Sequence, residues 1–375
     1  MRDWASGGWM ISADQATPAE LGFRMPAEWH PHEATWLAWP HNRDTWPDNL
    51  PAAQQEFILL VETISRDESV CVIAADEALE QAIATLAHVD NIEFFDIPTN
   101  DAWIRDYGPT FVINEETGET AAINWRYNGW GEKYPPFDQD VLVAELMAAG
   151  AAVDCFSTPF VIEGGALEIN DSGDLLTTIS CLLNHNRNPL PGDYGPDDEI
   201  PEQEFARHQT QLSRVLADMT GAASITWLSG AAVAGDDTDG HIDQQVRFAD
   251  DLSVILAKGF SPDDPLQSGF ANTVEELRDT FSAQNRTLQG MDLPLPPPIH
   301  MFGRVIPASY LNFYICNYGV IVPQFDSPLA DVRAIDLFKA AFPGRRIIGL
   351  PSLNLSVGLG SFHCLTQQQP KPSRE

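Results

Sequence analysis

The amino-acid sequence predicts an α/β protein with mixed sheets. Short strand-like runs alternate with longer stretches whose apolar residues recur at helical spacing along most of the 375 residues. The strand-like runs outnumber the helical stretches and often come in pairs before a helix, which favours repeated α/β units over one parallel sheet. Hydrophobic residues make up 44% of the chain, enough for a packed core and too many for a disordered protein.

The spacing of apolar residues locates the predicted helices. Phe57, Leu60 and Ile64 fall on one face of the first helix. Pro51 suits its first turn, because proline has no N–H to leave unpaired there. The sequence predicts helices at residues 51–66, 76–87, 138–149, 204–219, 273–283 and 328–342.

The predicted strands are short runs, many of them β-branched or aromatic, bounded by Pro, Gly or Asp. They cover residues 34–39, 69–73, 91–95, 110–113, 175–178, 253–256, 311–316, 320–323 and 346–350. Residues 184–201 are dense in Asn, Pro, Gly and Asp and predict an irregular loop, whereas the proline-rich run 293–299 predicts an extended lead into the next strand. The alternation of strands and helices resumes after both, so neither marks a domain boundary.

The charge of the chain excludes one class of partner. Its 21 Lys and Arg residues stand against 54 Asp and Glu residues, a formal net charge of −33. Such a chain does not displace counterions from nucleic-acid phosphates, so a nucleic-acid binder is excluded. An acidic surface attracts cations, and it also suits high solubility or a saline habitat.

The cysteines and apolar runs indicate a protein of a reducing, aqueous compartment. The five cysteines are odd in number and contain no Cys-x-x-Cys pair, so neither a disulfide framework nor a zinc site is expected. The first 23 residues lack the apolar segment of a signal peptide, and no apolar run approaches the ~20 residues that span a bilayer. We therefore predict a soluble, cytoplasmic protein that holds no metal.

Polar density, rather than a common catalytic motif, marks the candidate active-site residues. The chain has no GxGxxG, P-loop, HExxH or GxSxG sequence. On an extended strand, the side chains of His241 and Asp243 would point to one face. Four segments combine charged or nucleophilic side chains with turns and glycines: 100–109 with Asp106, 162–166 with Glu163, 238–243 with His241 and Asp243, and 358–370 with Cys364.

Together these segments supply a cysteine, a histidine and three acids, although each segment alone also fits a structural role. A thiol enzyme acting on a guanidinium requires such a set. Two carboxylates can bind the N–H edges of the cation and offset its charge. A thiolate can then attack the central carbon, with a histidine that protonates departing ammonia and afterwards activates water. The predicted reaction hydrolyses a guanidine to a urea and ammonia without a metal or an organic cofactor.

Further matches give the sequence a family resemblance. They comprise Met25-Pro26-Ala27-Glu28-Trp29, Thr35-Trp36-Leu37-Ala38-Trp39-Pro40, residues 103–109, 163–165, 183–189 and 238–243, Asn312-Phe313-Tyr314-Ile315, and residues 363–370. In this order, from about residue 22 onward, they resemble the agmatine deiminase family. That family is part of a guanidine-modifying superfamily with arginine deiminases, bacterial peptidyl-arginine deiminases and amidinotransferases.

The resemblance implies a fold and a reaction. The implied fold is a five-bladed, pseudo-symmetric α/β propeller of ββαβ modules around a central site. Residues 23–375 would form it as a single domain, after an N-terminal extension of residues 1–22. The implied reaction is hydrolysis of agmatine to N-carbamoylputrescine and ammonia, a step toward putrescine, through a covalent amidino-cysteine intermediate.

The resemblance also implies a role for each candidate residue. Cys364 matches the nucleophile, His241 the general acid and base, and Glu163 the acid that works with that histidine. Asp106 and Asp243 match the carboxylates that grip the guanidinium. No metal ligand and no cofactor are implied.

Substrate choice is less constrained than reaction type. Trp103 is expected to line the site as an aromatic wall. Family members commonly carry consecutive glycines before the His-Cys pair, and here Leu359, Ser361 and Phe362 interrupt that run. The bulk of Phe362 either reshapes the pocket or packs beneath the loop.

Several alternatives stay open. Free arginine, peptidyl-arginine or another guanidine could be the substrate, an amidino group could pass to an amine, or the protein could bind guanidines or polyamines without turnover. Agmatine needs an acidic or aromatic surface for its distal ammonium, and the acidic chain favours it. The predicted partner is a small cationic guanidine, with no nucleic acid or membrane. A second copy of the chain is a further candidate, because Trp4, Trp9 and Trp46 could be exposed at an interface.

Overall fold

The computed structural model describes residues 2–3, 10–11, 16–190 and 200–373. Its longer helices are Leu50–Ile64, Asp76–Leu86, Asp140–Gly150, Glu202–Thr220, Gln267–Ala283 and Pro328–Ala341. All predicted helices are confirmed, and the largest difference is in the fifth, which begins at Gln267 instead of residue 273. Within the described ranges, no helix is long and apolar enough to cross a lipid bilayer.

Four three-stranded sheets in the described part of the chain repeat one arrangement. An antiparallel pair is followed by a helix, and a third strand then lies parallel to the second. Module 1 has strands Thr110–Asn114, Glu119–Arg126 and Asp154–Val161, and module 2 has Glu168–Ile169, Asp174–Thr178 and Ser224–Leu228. Module 3 has Val246–Asp250, Ser253–Lys258 and Gln289–Pro294, and module 4 has Tyr314–Cys316, Gly319–Gln324 and Arg346–Pro351.

Module 5 joins the two ends of the chain. Its first strand, Thr366–Pro370, pairs antiparallel with His32–Ala38, and Ser69–Ala74 then lies parallel to that second strand. The helix Leu50–Ile64 connects the latter two strands, and Ile92–Asp96 extends the sheet by a parallel fourth strand. The fold is therefore mixed α/β with several small sheets, as the sequence predicts.

The remaining elements are short. A hairpin of Ile299–Met301 and Arg304–Ile306 stands between modules 3 and 4, and Arg2–Asp3 pairs with Met10–Ile11. Single helical turns are Ala19–Leu21, Ile104–Tyr107, Gly129–Glu132, Gly164–Ala166, Ile179–Leu182, Ile242–Gln244 and Leu355–Gly358.

The predicted strands are confirmed, with one shortened, but the sequence misses two of the three strands in each of modules 1, 2 and 3. Residues 311–313 form a bend, so the strand predicted at 311–316 begins only at Tyr314. Thr366–Pro370 shows why strands are missed: it contains no aliphatic residue and extends because its backbone pairs with His32–Ala38. The other missed strands of the five modules are Glu119–Arg126, Asp154–Val161, Glu168–Ile169, Ser224–Leu228, Val246–Asp250 and Gln289–Pro294.

The two irregular segments are also where the sequence predicts them. Residues 183–190 and 200–201 form turns and irregular backbone, and the rest of that predicted loop, 191–199, lies outside the described residues. The proline-rich run 293–299 connects Gln289–Pro294 to Ile299–Met301.

The prediction of an exposed Trp46 is wrong. Its side chain is fully buried, its Nε1 donates a hydrogen bond to the Leu355 carbonyl at 3.0 Å, and its ring centroid lies 5.4 Å from that of Trp103. Trp4 and Trp9 lie outside the described residues. Trp46 therefore belongs to the core beside the candidate site and offers no surface to a partner.

Candidate active site

A short polar segment precedes the first strand of each module. These segments contain, from module 1 to module 5, Asp106, Glu163, His241 with Asp243, Asn312, and Cys364. The repeated module thus places one or two polar side chains at the same point of each unit. This repetition explains how residues far apart in the sequence can meet.

Gly165 marks the place where several of these segments meet. A Cβ atom on Gly165 would lie 2.5 Å from Nδ1 of His241, 2.8 Å from Oδ1 of Asp106 and 3.1 Å from Oδ2 of Asp243. Any side chain would collide with all three groups, so glycine is required here. The Gly165 N–H donates to Oδ1 of Asp106 at 2.9 Å.

A cavity of about 170 Å³ leads to this cluster. Cys364 and Asp106 line it, and Trp103 and Trp130 supply aromatic walls. Further lining residues include the acids Asp44, Asp101, Asp140 and Asp237 and the base Arg304. The cavity is thus acidic and aromatic, a surface suited to a cation.

The Cys364 thiol is buried among polar groups. Nδ2 of Asn312 donates to its Sγ at 3.0 Å, and Oδ2 of Asp243 lies 3.7 Å from the same sulfur. Burial and the charges of Asp243 and Asp106 raise the pKa of Cys364 well above its ordinary value, and the Asn312 hydrogen bond opposes them. The thiol needs a nearby positive charge to become a thiolate at neutral pH.

His241 is wholly buried between two carboxylates. Its Nε2 lies 3.2 Å from Oε2 of Glu163, and its Nδ1 lies 3.7 Å from Oδ1 of Asp106 with no hydrogen-bond partner among the described residues. Burial alone would lower the pKa of His241, but Asp106, Cys181 and Glu163 raise it well above its ordinary value. The imidazole can therefore hold a proton at neutral pH.

Glu163 is held by a buried guanidinium. Nε of Arg187 donates to its Oε1 at 2.6 Å, and NH1 of Arg187 donates to Oδ2 of Asp239 at 2.8 Å. Nζ of Lys133 lies 2.9 Å from the same Asp239 oxygen. Burial would raise the pKa of Glu163, but Arg187 and His241 hold it below its ordinary value. Charges of alternating sign thus extend from Lys133 at the surface to His241.

Asp106 faces the cavity from module 1. Its Oδ2 accepts a hydrogen bond from Nε1 of Trp130 at 2.8 Å. Burial raises the pKa of Asp106, and the nearby charges of Asp243 and Glu163 raise it further, while His241 opposes them. A cation bound beside Asp106 would therefore favour its charged form.

Asp243 has one oxygen bound and one free. Its Oδ2 accepts from Nδ1 of His363 at 2.8 Å and from Nδ2 of Asn312 at 3.3 Å, whereas its buried Oδ1 has no hydrogen-bond partner in the described part of the chain. Burial would raise the pKa of Asp243, but His363, His241 and Arg247 hold it below its ordinary value. Because buried oxygens are seldom left unpaired, Oδ1 is placed to accept from a ligand.

His241 and Asp243 do not lie on an extended strand. Ile242–Gln244 is a 3₁₀ turn that follows His241, and Asp239 and Gly240 adopt left-handed φ angles of +64° and +94°. The left-handed residues redirect the chain before the turn. His241 and Asp243 still converge, because the turn lies beside Gly165 and not because of strand alternation.

The residues that interrupt the glycine run lie in two different places, the core and the cavity wall. Phe362 is fully buried in the core and packs beneath the loop, and Oγ of Ser361 lies 2.6 Å from Oγ of Ser352. Leu359 lines the cavity with a left-handed φ of +78°. Gly360 is required, because a Cβ there would lie 2.4 Å from the Trp103 ring.

One set of buried side chains has the composition of a metal site. Glu163, Cys181 and His241 offer an oxygen, a sulfur and a nitrogen that lie within 4.8 Å of one another. Burial raises the pKa of Cys181 to about 11, so its thiol stays protonated, and its Sγ lies 3.4 Å from Oε2 of Glu163. A metal would have to compete with Arg187 for Glu163. The set fits a hydrogen-bonded acid–base group better than a metal site.

Sequence reasoning misses the residues that hold the predicted ones. Asn312, Arg187 and His363 lie in the family motifs at 312–315, 183–189 and 363–370 but receive no role, and Trp130 is not singled out. The sequence signals that could have indicated a role are the amide of Asn312 within an apolar run and Arg187 within an Asn-rich loop. Neither signal names the group that the side chain contacts.

Replacing Arg187 with methionine is expected to destabilise the protein. The Arg187 and Glu163 side chains are fully buried, and removing one partner leaves the other charge unpaired. We expect the free energy of unfolding to fall by about 3 kcal/mol or more, measured by urea denaturation. Arg286→Met is the matched control, because Arg286 pairs with Asp174 but is partly exposed, and its loss should cost about 1 kcal/mol or less. Equal losses in the two variants would contradict this prediction.

Comparisons with known proteins match this chain to deiminases over nearly its whole length. The sequence model of the Porphyromonas-type peptidyl-arginine deiminase family matches residues 24–370. The agmatine deiminase of Pseudomonas aeruginosa (strain LESB58) is 33% identical over 387 aligned residues, which cover 97% of this chain and 100% of that protein.

Solved structures of agmatine deiminases are also similar to this chain. A structure of the agmatine deiminase of Enterococcus faecalis catalysing its reaction superposes with a TM-score of 0.84 at 29% identity, covering 98% of this chain and 100% of that one. A Cys→Ser variant of the C. jejuni agmatine deiminase with substrate bound gives 0.81 at 28% identity, covering 92% and 96%.

Proposed function

Because this chain belongs to the Porphyromonas-type peptidyl-arginine deiminase family, we propose that it hydrolyses agmatine to N-carbamoylputrescine and ammonia. The observation that carries the proposal is the position of Cys364, which lines an acidic cavity together with Asp106 and whose sulfur lies 3.7 Å from Oδ2 of Asp243. The resemblance to agmatine deiminases is confirmed by relatives of that name, which makes the chain a hydrolase of C–N bonds in linear amidines.

The first step is binding of the guanidinium. Asp106 and Asp243 would accept hydrogen bonds from its N–H groups, and Oδ1 of Asp243 is an unpaired acceptor for this purpose. Trp103 and Trp130 would bound the planar cation as aromatic walls. The bound positive charge offsets the two carboxylates that otherwise repel a third negative charge at the thiol.

The second step forms a covalent bond to Cys364. Because the cation neutralises the field of Asp106 and Asp243, the pKa of the thiol falls when substrate binds, and the thiol releases its proton to solvent and becomes a thiolate. Its sulfur attacks the guanidinium carbon and makes a C–S bond. His241 then gives a proton to one nitrogen of the adduct, the C–N bond breaks, and ammonia leaves.

The third step is hydrolysis of the amidino-cysteine. His241, now neutral and held by Glu163, takes a proton from water, and the hydroxide adds to the amidino carbon. The C–S bond breaks, the hydroxyl loses its proton to solvent so that the carbon keeps the oxygen as a urea, and Cys364 leaves as a thiolate that takes up a proton from solvent. Water is the only co-reactant.

Features beyond the reaction follow from the same resemblance. The five similar modules support a five-bladed pseudo-symmetric propeller with the cavity at its centre, and residues 23–375 would form this single domain after the extension 1–22. From the odd number of cysteines and their wide spacing we also infer a cytoplasmic location, and a second copy of the chain is the candidate partner.

The lining of the cavity favours agmatine over arginine. Asp44, Asp101 and Asp237 lie among its acids and suit a distal ammonium. Arg304 in the same lining is the observation that favours a substrate with a carboxylate, and free or peptidyl arginine is therefore the second candidate. Acids outnumber this base in the cavity, so the doubly cationic amine is preferred.

Ammonia release tests the substrate directly. Purified protein is given agmatine, free arginine and a blocked arginine peptide in parallel, with Cys155→Ala as a control because that cysteine is exposed. We expect release from agmatine, unchanged in the control. Equal release from arginine would shift the substrate to the second candidate. If the folded protein released ammonia from none of the three substrates, this result would contradict the proposed function.

A further inference from the structure

His363 precedes Cys364 in the chain and is buried between two carboxylates. Its Nδ1 lies 2.8 Å from Oδ2 of Asp243, and its Nε2 lies 2.9 Å from Oε2 of Glu28. The two acids come from distant parts of the chain, because Glu28 precedes the second strand of module 5 and Asp243 precedes the first strand of module 3. Neither His363 nor Glu28 takes part in the three proposed steps.

The two short contacts determine the charge of the imidazole. A ring nitrogen that faces a carboxylate oxygen at this distance has to carry a proton, because otherwise two lone pairs would meet. Burial would raise the pKa of both acids, but Arg247 and His363 hold that of Glu28 well below its ordinary value, and His363 holds that of Asp243 low. Both acids are therefore ionised, both nitrogens donate, and the imidazole is positively charged.

Glu28 is also fixed by groups other than His363. Its Oε1 accepts the N–H of Ile315 at 2.7 Å, and its Oε2 accepts NH2 of Arg247 at 2.6 Å. Nε of Arg247 donates to Oε2 of Glu168 at 2.7 Å. Buried charges of alternating sign are thus arranged in the order Glu168, Arg247, Glu28, His363 and Asp243.

We propose that Glu28 and His363 are positioning residues, which act on the candidate nucleophile Cys364 through Asp243. Glu28 holds the second N–H of His363, and the imidazolium fixes Oδ2 of Asp243 and offsets its charge. The same Oδ2 lies 3.7 Å from the Cys364 sulfur, so the imidazolium counteracts a carboxylate that disfavours the thiolate. This inference rests on the proposed function, in which Cys364 is the nucleophile, but it can be tested without substrate.

The other charged groups around this pair have different partners. Nε of Arg105 donates to the His363 carbonyl at 3.2 Å, and Nε2 of His241 lies against Glu163. Among the described residues, His363 is thus the positively charged side chain that hydrogen-bonds to Asp243. The remaining titratable or charged side chains that act on the imidazole, its two carboxylates or the sulfur are Asp106, Glu168 and Arg247.

The test is the rate at which iodoacetamide alkylates Cys364 in the substrate-free protein. The labelled peptide is quantified by mass spectrometry at a fixed pH of about 8.5, near the pKa of an ordinary thiol. The thiolate reacts and the thiol does not, so the rate follows the thiolate fraction. His363→Gln removes the positive charge and the Nδ1 donor, and we expect it to slow alkylation about tenfold or more, the effect of one pKa unit.

His363→Asn separates a positioning role from a merely structural one. The amide nitrogen of asparagine falls near the place of Nδ1 and can still donate to Asp243, whereas that of glutamine falls near Nε2 and donates to Glu28. We therefore expect alkylation to be about threefold or more faster in His363→Asn than in His363→Gln, the effect of one neutral hydrogen bond. A loss of packing alone would give the opposite order, because asparagine leaves the larger cavity.

His208→Gln is the matched control. His208 is also buried, but its Nε2 lies 2.8 Å from the Asn188 carbonyl instead of from a carboxylate. We expect its alkylation rate to equal that of the wild type. If His363→Gln fails to fold by circular dichroism, Glu28→Gln takes its place. That variant removes the charge that holds the second N–H of His363, so alkylation should slow in the same direction.

The inference is overturned if His363→Gln reacts as fast as the wild type and the control, or if His363→Asn is the slower of the two variants. Neither outcome depends on the substrate. Ammonia release from agmatine together with either of them leaves the proposed function standing and removes only this inference. The expected order of rates in a protein that releases no ammonia from any guanidine would support the inference and contradict the proposed function.

Discussion

Replacing Cys364 with alanine is expected to abolish ammonia release while the protein still binds agmatine. The sulfur forms the covalent bond in the proposed reaction, so without it the guanidinium carbon meets no nucleophile. Asp106 and Asp243 are unchanged and still accept the cation. The variant lacks the thiol, so no thiolate forms beside these two carboxylates. We expect the turnover rate to fall on the order of 10⁵-fold or more, as when an activated nucleophile is removed.

Two measurements check this expectation. Isothermal titration calorimetry should give a dissociation constant for agmatine close to the Michaelis constant of the wild type, and acid-quenched wild-type protein should carry the mass of an amidino group on Cys364. Cys155→Ala is the matched control, because that cysteine is exposed and lies in a strand of module 1. Turnover near the wild-type rate in Cys364→Ala would reject the thiol mechanism.

Replacing Asp243 with asparagine is expected to have the second largest effect. The change keeps the shape of the side chain but removes a charge that is fully buried and that accepts from His363 and Asn312. An amide offers one acceptor instead of two, so either the protein donors or the substrate must lose a partner. We expect kcat/KM for agmatine to fall by an amount that corresponds to a loss of about 3–5 kcal/mol in transition-state stabilisation. This is the cost of breaking a buried charge pair.

Asp336→Asn is the control for charge removal in general. Asp336 lies on the helix Pro328–Ala341, pairs with Lys339, and has a side chain 67% exposed. Steady-state kinetics should show no change in this variant. If both variants lost activity equally, Asp243 would not be the carboxylate that binds the guanidinium.

Helices were predictable from the sequence because their signal is local. Phe57, Leu60 and Ile64 bury one helical face whatever sheet the helix meets, so their spacing alone locates the element. Strands such as Thr366–Pro370 were not predictable, because the partner strand His32–Ala38 lies at the other end of the chain. The repeat of five modules was not recognisable in the sequence either. Similar strand pairing does not require similar residues, so the modules share their geometry and not their sequence.

The candidate site residues were predictable from their residue types. A cysteine, a histidine and three acids beside glycines predicted Cys364, His241, Glu163, Asp106 and Asp243, and the structure places them in and behind one cavity. Their local backbone was not predictable, since Asp243 lies on a 3₁₀ turn that directly follows His241, and neither residue lies on a strand.

The sequence by itself determined the class of the fold, the helices and the set of candidate site residues, since periodicity and side-chain chemistry are properties of short segments. Only the tertiary structure decided that Asn312 donates to the sulfur, that Arg187 holds Glu163, and that Trp46 and Phe362 are core residues. Each of these facts depends on two segments that are far apart in the chain. Their contact arises from how the modules pack, and no local pattern of residues encodes it.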